Sequence, residues 1–331
     1  MTVSKHESVS RQNQIMFRGR LLRWYGQFQR KLPWRGAADP YHILVSEIML
    51  QQTRVAVVED RYRKFIARFP SVERLSRAKE ETVLAAWSGL GYYRRARALH
   101  QAAKEIVRRG SFPPTAPELM ELPGVGRYTA AAVASIAFGE PVAVVDGNVK
   151  RVIDRVVDRK STLARAIPEE RYWDVAGQLL DKNRPGDFNQ AMMELGALVC
   201  LPAQPLCHAC PVAGVCASRG PTEKAERTAR RKADLHYSLA RRNGSVLLRQ
   251  RDKQSSLMPG MWELPEIEAP RKECGSPILR LRHSITTTDY TVFVHASGKK
   301  AEAGRWFPLR SIHRLPLTGL TRKIIKRLDD E

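Results

Sequence analysis

The stretch Leu122-Pro-Gly-Val-Gly126, followed at once by an alanine-rich run to Val133, constrains the fold more than any other part of the chain. A proline and two glycines close one helix, and Gly124 and Gly126 can both take positive φ, so the sequence predicts a tight turn between two helices. Backbone N–H groups at the start of the second helix would then be exposed and able to bind an anion. An ordinary corner of a helical bundle has the same pattern, and the turn alone leaves the function open.

A carboxylate follows this turn at a second helix start. Asp146 comes directly after the apolar run Val142-Ala-Val-Val145 and before an amphipathic segment that contains Val149, Val152 and Ile153. Asp is a good N-cap residue, and the spacing alone favours a cap over a catalytic role. An anion-binding turn with an acid nearby also suggests chemistry on a nucleic acid.

Length and charge narrow the class of protein. The chain has 331 residues, enough for two or three hydrophobic cores, and a formal net charge of +22. Such an excess of cations indicates a polyanionic partner, most simply DNA or RNA. No apolar run approaches a membrane span, and the polar N-terminal residues lack the apolar core of a signal peptide. We expect an intracellular protein with a flexible N-terminus over residues 1–16.

Four of the five cysteines fall within 17 residues, at Cys200, Cys207, Cys210 and Cys216. In an intracellular chain of this size, such clustering favours a metal or a metal cluster over disulfides. Four thiolates can bind zinc, but zinc sites often use two Cys-x-x-Cys pairs, and here only Cys207 and Cys210 form one. Cys274 stands alone and is expected to be a plain thiol.

A glutamate interrupts the apolar helix predicted after Tyr41. On a helix, Glu47 shares a face with Ile43 and Leu50, so its carboxyl would be desolvated and its pKa raised, which suits a general acid. The alternative is a glutamate that faces solvent beside a buried stripe. Before this helix, Trp34 and Arg35 lie on a predicted loop, where they can either face a base and its phosphate or form a core tryptophan with a surface arginine.

The remaining chain divides into helices and then strands. Residues 71–109 are predicted to be helical, with a break at Ser88-Gly-Leu-Gly-Tyr-Tyr93 whose tyrosines could wedge into a base step. Further helices are expected near 173–180 and 188–198, and the polar, charged stretch from 218 to 235 is typical of a linker. Short alternating runs then predict strands and a last helix near 319–328. The fold class is therefore a mainly α N-terminal region plus a small α+β C-terminal domain.

From about residue 17 onward, the chain resembles the helix-hairpin-helix DNA glycosylases and, within them, the MutY-type adenine glycosylases. The motifs that carry the resemblance are Val45-Ser-Glu-Ile-Met-Leu-Gln-Gln-Thr53, Gly89-Leu-Gly-Tyr-Tyr93, Leu122-Pro-Gly-Val-Gly126, Val145-Asp-Gly-Asn-Val-Lys-Arg151, Phe188-Asn-Gln-Ala-Met-Met-Glu194 and the cysteine spacing. The resemblance implies two helical subdomains with an iron–sulfur loop within 17–217, one of about 41–143 and one formed by the N-terminal helix and 144–217. A MutT-like (Nudix-like) domain over 236–331 follows the linker.

The resemblance also implies roles for individual residues. Glu47 matches the general acid that protonates adenine, Asp146 matches the carboxylate that stabilises the cationic sugar, and Asn148 matches an amide near the acid. This pairing suits the loss of a neutral base through an oxocarbenium-like transition state. The other matched positions are Trp34, Arg35 and Gln190 in the adenine pocket, Gln52 and Tyr92 as residues that enter the helix opposite the extruded base, and Cys200, Cys207, Cys210 and Cys216 as ligands of a [4Fe–4S] cluster.

Two positions refine this interpretation. Relatives similar to endonuclease III carry a lysine two residues after the second glycine of the hairpin, where this chain has Tyr128, so no amine nucleophile is expected there. In the C-terminal domain, the lesion-reading positions that are commonly Phe-Ser-His are Ile285, Thr286 and Thr287. Thr286 keeps a hydroxyl, whereas Thr287 lacks the imidazole. The acidic helix of MutT-like pyrophosphohydrolases is missing, so nucleotide hydrolysis is not expected.

The resemblance thus predicts a monofunctional adenine glycosylase whose partner is double-stranded DNA with adenine opposite 8-oxoguanine or guanine. We expect the protein to be a monomer that does not associate with a membrane. Two alternatives stay open. One is a glycosylase for another mismatched base, such as thymine opposite guanine, and the other is a non-catalytic iron–sulfur protein that binds DNA.

Overall fold

The computed structural model describes residues 9–36, 39–157, 168–220, 230–255, 257–268, 276–285, 287–297 and 304–329. In these residues the helices are α1 Arg11–Phe28, α2 Pro40–Leu50, α3 Val55–Arg68, α4 Val72–Ser76, α5 Glu80–Ala86, α6 Arg94–Arg109, α7 Ala116–Met120, α8 Arg127–Ala137, α9 Gly147–Val156, α10 Glu169–Leu179, α11 Pro185–Leu198 and α12 Gly319–Asp329. The strands are β1 Arg231–Leu239, β2 Arg241–Arg242, β3 Ser245–Gln250, β4 Trp262–Glu263, β5 Glu266–Ile267, β6 Leu279–Ile285, β7 Thr288–Ala296 and β8 Arg305–Pro308. No helix in these ranges is long and apolar enough to cross a bilayer.

The chain forms two compact units. The first lies within Met1–Ser76 and Gln101–Ala225, and the second lies within Arg77–His100 and Glu226–Glu331. The first is helical and the second contains all eight strands, in agreement with a helical region followed by a smaller sheet-containing region. The MutT-like character of the second unit stays a prediction.

The core of the first unit forms where α1, α9, α10 and α11 pack together. Buried members of this core include Phe17, Val149, Ile153, Leu179 and Phe188. On α9 the apolar residues recur at the spacing of one helix face, and that face is buried as the sequence predicts.

Helix α1 begins earlier than the sequence predicts. The side chain of Ser10 accepts a hydrogen bond from the Asn13 amide and caps the helix, so 11–16 are helical and the predicted flexible segment 1–16 is too long. Residues 1–8 of that segment lie outside the described residues.

The predicted turn between two helices is present between α7 and α8. Gly124 has a φ of +74°, which favours glycine. Gly126 instead has a φ of −89° and serves as the N-cap of α8, so only the first of the two glycines in this turn uses a positive φ. Leu122 and Val125 are buried and anchor the turn. No side chain caps α8 at Gly126, which leaves its first backbone N–H groups without a side-chain partner.

Two sheets build the second unit. One has the strand order β5-β1-β7-β6, in which β1 runs parallel to β7 from Arg231 to Leu239, and the other joins β2, β3, β4 and β8. Strand β1 begins at Arg231, so the predicted linker over 218–235 ends too late; its residues 221–229 lie outside the described chain. Residues on one face of the first sheet, such as Leu281 and Val292, pack against Ile324 of α12 in a shared core.

Candidate active site

The first unit contains a cavity of about 540 Å³. Eight of the residues that the sequence singles out line it together: Trp34, Arg35, Glu47, Gln52, Tyr128, Asp146, Asn148 and Gln190. They come from α2, α8, α9, α11 and the loops after α1 and α2, so the fold assembles a single site from distant segments of the chain.

Glu47 lies in the middle of α2, a helix that is buried over almost its full length, and the Glu47 side chain is buried with it. The residue is 5% exposed. Its Oε2 accepts a hydrogen bond of 2.8 Å from the hydroxyl of Tyr128. Burial raises the pKa of Glu47 to about 7, while the Tyr128 hydrogen bond lowers it, the charge of Asp146 raises it and Arg35 lowers it. The predicted burial of the Glu47 carboxyl is confirmed, and the solvent-facing alternative is wrong.

Tyr128 stands on the first turn of α8. Its hydroxyl lies 2.8 Å from Glu47 and 3.1 Å from the sulfur of Met193. Burial raises the pKa of Tyr128 well above its usual value, and the neighbouring charges of Glu47 and Asp146 add to this effect. Tyr128 is therefore a neutral hydrogen-bond donor to Glu47.

Asp146 is both a helix cap and part of the cavity wall. Its Oδ1 accepts from the backbone N–H of Val149 at 2.7 Å, and its Oδ2 accepts from the side-chain amide of Asn148 at 3.0 Å. Asn148 is held in turn by Arg151, whose Nη2 donates to Asn148 Oδ1 at 2.7 Å. The capping bond fixes where the carboxylate of Asp146 lies, so the two roles weighed from the sequence are compatible.

A second buried carboxylate, which the sequence analysis missed, lies in the same wall. Glu194 is 1% exposed, and its carboxylate accepts hydrogen bonds of 2.6–2.9 Å from the guanidinium groups of Arg30 and Arg35. Burial alone would raise the pKa of Glu194, but the hydrogen bonds from Arg30 and Arg35 outweigh burial and lower it to about 2. The signal in the sequence is a glutamate one helical turn after Gln190 among the apolar residues of α11.

The Arg35 side chain is therefore not a free surface cation. Besides its contacts with Glu194, its guanidinium lies 5.4 Å from the ring centre of Tyr25. Trp34 is 7% exposed and meets Tyr62 edge to face at 5.3 Å between ring centres. Both residues line the cavity from fixed positions, whereas Gln52 is exposed and has a φ of +56°.

The other predicted DNA-contacting residues lie elsewhere. Gly124 and Gly126 form the turn before α8 in the first unit. Tyr92, Ile285 and Thr287 belong to the second unit; Tyr92 is 48% exposed, and Ile285 pairs with Thr288 at the end of the β6–β7 ladder. Thr286 lies outside the described residues.

The four clustered cysteines line one small pocket of the first unit. Arg155 crosses this loop, with Nη1 3.1 Å from Cys200 Sγ and 2.8 Å from the carbonyl oxygen of Leu201. The backbone N–H of Gly220 points at Cys207 Sγ at 3.5 Å. In the described ranges no group of three or more His, Cys, Asp and Glu side chains is arranged to hold one metal ion. An all-sulfur donor set around a common pocket suits an iron–sulfur cluster.

The chain is similar to known DNA repair proteins. Residues 45–172 match the HhH-GPD superfamily of base excision DNA repair proteins. The human adenine DNA glycosylase is 48% identical over 223 residues, which cover 63% of this chain and 40% of the human protein. The chain thus spans about two fifths of the length of this curated relative.

Solved structures show the same helical fold. A thermostable thymine-DNA glycosylase superposes with a TM-score of 0.57 at 30% identity and covers 62% of this chain and 96% of that one. A trapped endonuclease III–DNA covalent intermediate, 22% identical with a TM-score of 0.53, covers 62% of this chain and 95% of that one and supports the fold alone. From the superfamily match and a relative covered almost in full, we conclude that the chain belongs to the HhH-GPD superfamily of base excision DNA repair proteins.

Proposed function

We propose that this chain is a monofunctional adenine DNA glycosylase, which removes adenine mispaired with 8-oxoguanine or guanine by hydrolysis of the N-glycosidic bond. The observation that carries the proposal is Glu47, a carboxyl buried in the cavity wall with a pKa raised to about 7 and a neighbouring carboxylate at Asp146. The 48% identity to the human adenine DNA glycosylase over 223 residues supports adenine as the base.

The two carboxyl groups divide the reaction between them. Adenine is a poor leaving group as an anion, so a proton must reach its ring as the bond to the sugar breaks, and Glu47 donates this proton. The sugar becomes cationic at the same moment, and the fixed carboxylate of Asp146 stabilises that charge. Water then adds to the sugar carbon and gives its proton to the Glu47 carboxylate, which restores the acid and leaves an abasic site and free adenine.

The cavity is suited to a base that has left the helix. Its volume of about 540 Å³ accommodates a purine. Trp34 supplies an apolar face for the base, and Gln190 and the Arg35 guanidinium supply polar groups for its edge. Arg35 enters this role already oriented, because Glu194 holds both of its terminal nitrogens.

The cavity provides no amine for Schiff-base chemistry. Among the described residues that line it, the cationic side chains are those of Arg30 and Arg35, and there is no lysine. Tyr128 occupies the hairpin position where strand-cleaving relatives have a lysine, and it is engaged with Glu47. This arrangement supports the proposal of base release without strand cleavage.

Double-stranded DNA is the proposed partner, bound by a monomer. The net charge of +22 favours a polyanion, and the backbone N–H groups that open α8 are free of a side-chain cap and can bind a phosphate. Gln52 and Tyr92 share two features that suit residues entering a base stack: both are exposed, and both have positive φ angles, of +56° and +46°.

We propose that the second unit reads the opposite base. The match to the thymine-DNA glycosylase covers 96% of that protein but only 62% of this chain. This chain therefore has additional residues that the thymine-DNA glycosylase has no counterpart for. In the proposed MutT-like domain, Ile285 and Thr287 flank Thr286 where β6 returns into β7. A hydroxyl at 286 can hydrogen-bond 8-oxoguanine, and Ile285 can pack against the base.

We further propose that Cys200, Cys207, Cys210 and Cys216 hold a [4Fe–4S] cluster with a structural role near DNA. When bound, such a cluster would order the loop that carries its ligands. Analysis of purified protein should find about four irons and four sulfides per chain, with loss of both in a Cys207→Ser variant. One zinc per chain and no sulfide would overturn the assignment.

A second candidate is a thymine glycosylase for G·T mispairs, favoured by the 30% identity to the thymine-DNA glycosylase. A non-catalytic DNA-binding protein is the third, and retention of both Glu47 and Asp146 in one cavity argues against it.

Single-turnover base release separates these functions. The duplexes carry adenine opposite 8-oxoguanine, guanine or thymine, and a fourth carries a G·T mispair. We expect fast release of adenine opposite 8-oxoguanine, slower release opposite guanine and none opposite thymine, without strand cleavage. Thymine release from the G·T duplex would establish the second candidate, and no release from any duplex would leave the third.

A further inference from the structure

The exposed Tyr92 is directly followed by a buried tyrosine that reaches into the C-terminal part of the second unit. Tyr93 is 4% exposed, and its hydroxyl donates to the carbonyl oxygen of Leu317 at 3.1 Å. Leu317 is itself buried in the core between the first sheet and α12. Tyr92, which is proposed to enter DNA, is therefore adjacent in sequence to Tyr93, which is hydrogen-bonded to the C-terminal part of the second unit.

Arg97 makes a second connection one helical turn later. Its Nη2 donates to the carbonyl oxygen of Pro259 at 2.6 Å, and its Nε donates to Glu80 at 2.9 Å. The Pro259 carbonyl is held by a tight turn, in which Met258 has a φ of +47° and Gly260 has a φ of +69°. Both ends of the Arg97 contact are thus fixed by the fold.

The corner that carries Tyr92 is stiff in itself. The Trp87 indole N–H donates to the Gly91 carbonyl at 3.0 Å, and Arg95 donates to the Leu90 carbonyl at 3.1 Å. The Arg95 guanidinium also lies 5.3 Å from the ring centre of Tyr92 and 5.6 Å from that of Trp87. A stiff corner transmits a shift at Tyr93 or Arg97 to the Tyr92 ring.

We propose that Tyr93 and Arg97 are positioning residues through which the C-terminal part of the second unit sets the orientation of Tyr92. The proposal rests on the proposed function, in which Tyr92 enters the helix beside the opposite base and the β6–β7 connection reads that base. Tyr92 and the β6–β7 connection belong to the same compact unit. Recognition of 8-oxoguanine by that connection is then coupled to the orientation of the Tyr92 ring.

The test uses the full chain with Tyr93→Phe, which removes only the hydroxyl that bonds Leu317. Tyr41→Phe is the matched control, because the buried Tyr41 hydroxyl donates to the Phe69 carbonyl at 2.7 Å in the other unit. Two quantities are measured: amide hydrogen exchange over residues 88–95, and the ratio of adenine release opposite 8-oxoguanine to release opposite guanine. Arg97→Met serves as a second variant should Tyr93→Phe fold poorly.

We expect Tyr93→Phe to speed exchange over 88–95 and to lower the discrimination ratio by about fivefold, the equivalent of one hydrogen bond. Tyr41→Phe should leave both unchanged. Unaltered exchange, or faster exchange with an unchanged ratio, would overturn the proposal. If the wild-type protein released no adenine, the proposed function would fail, and the exchange measurement would still decide whether Tyr93 holds the corner.

Discussion

Two regions of the cavity wall carry buried carboxylates with opposite properties. Glu47 on α2 and Glu194 on α11 are 5% and 1% exposed, so both side chains have lost nearly all of their water. The pKa of Glu47 is raised to about 7, whereas that of Glu194 is lowered to about 2. Burial is common to both residues and does not explain the difference.

The hydrogen-bond partners explain it. Glu47 accepts from one neutral phenol, which is too weak to offset the loss of water around a charge. Glu194 accepts from two guanidinium groups and from the Arg30 backbone N–H, which stabilise its charged form. The first site therefore exchanges a proton near neutral pH, and the second stays ionised as an anchor for Arg35.

Glu47→Gln gives the largest expected effect. The amide keeps the size of the side chain but carries no acidic proton, so single-turnover adenine release should fall by about a thousandfold. Binding of the mispaired duplex should persist, measured by fluorescence anisotropy. Unchanged turnover would remove Glu47 from the role of acid.

The main effect of Glu194→Gln should be a lower free energy of unfolding rather than a slower reaction. Removing the charge leaves Arg30 and Arg35 without their counter-ion, and we expect the free energy of unfolding to fall by about 3 kcal/mol in denaturant titrations at pH 7. A comparable loss of stability in Glu47→Gln at this pH would contradict the contrast between the two sites.

The two carboxyls should give opposite pH dependences of stability. The pKa of Glu47 is raised from 4.5 to about 7, so its contribution is full below pH 4.5 and is lost as the pH rises through 7. Above pH 7, Glu47→Gln should be more stable than the wild type by about 3 kcal/mol, since each unit of pKa shift is worth about 1.4 kcal/mol and the buried charge is gone. The contribution of Glu194 to the free energy of unfolding is full above pH 4.5 and is lost as the pH falls towards 2. Glu194→Gln should therefore reduce the pH dependence of stability only in this acid range.

The smallest effect is expected for Tyr128→Phe. Loss of the hydroxyl removes a hydrogen bond that favours ionised Glu47, so the alkaline limb of adenine release should move up by about 0.7 pH unit, or about 1 kcal/mol. Tyr62→Phe is the control, because it removes a buried phenol hydroxyl that has no hydrogen bond to Glu47. An equal shift in both variants would argue against the specific contact.

Periodicity and local chemistry were sufficient to predict much of this architecture. The apolar spacing of Val149, Val152 and Ile153 predicts α9, and the short apolar run Ser245-Val-Leu-Leu248 predicts β3. Asn243-Gly244 predicts the turn before β3, where both residues have positive φ. Glu47 was identifiable because an isolated acid within an apolar helix has few alternatives to burial.

Other features depend on contacts between distant segments and have no local signal. Glu194 lies 159 residues from Arg35; its place among the apolar residues of α11 indicates burial, but nothing near it in sequence identifies the arginines that keep it ionised. The parallel pairing of β1 with β7 likewise joins Arg231 to Thr288 across intervening strands. The positive φ angles of Gln52 and Tyr92 are set by their surroundings, since neither residue type favours that conformation.

In the proposed mechanism, Glu47 holds a proton near neutral pH in the free enzyme. The direct measurement is a carbon-13 NMR titration of glutamate carboxyls, with Glu47→Gln used to assign the Glu47 signal. We predict a midpoint near pH 7 for the Glu47 carboxyl. A Glu47 midpoint near 4.5 would contradict the account, because the carboxyl would then be ionised before adenine enters the cavity.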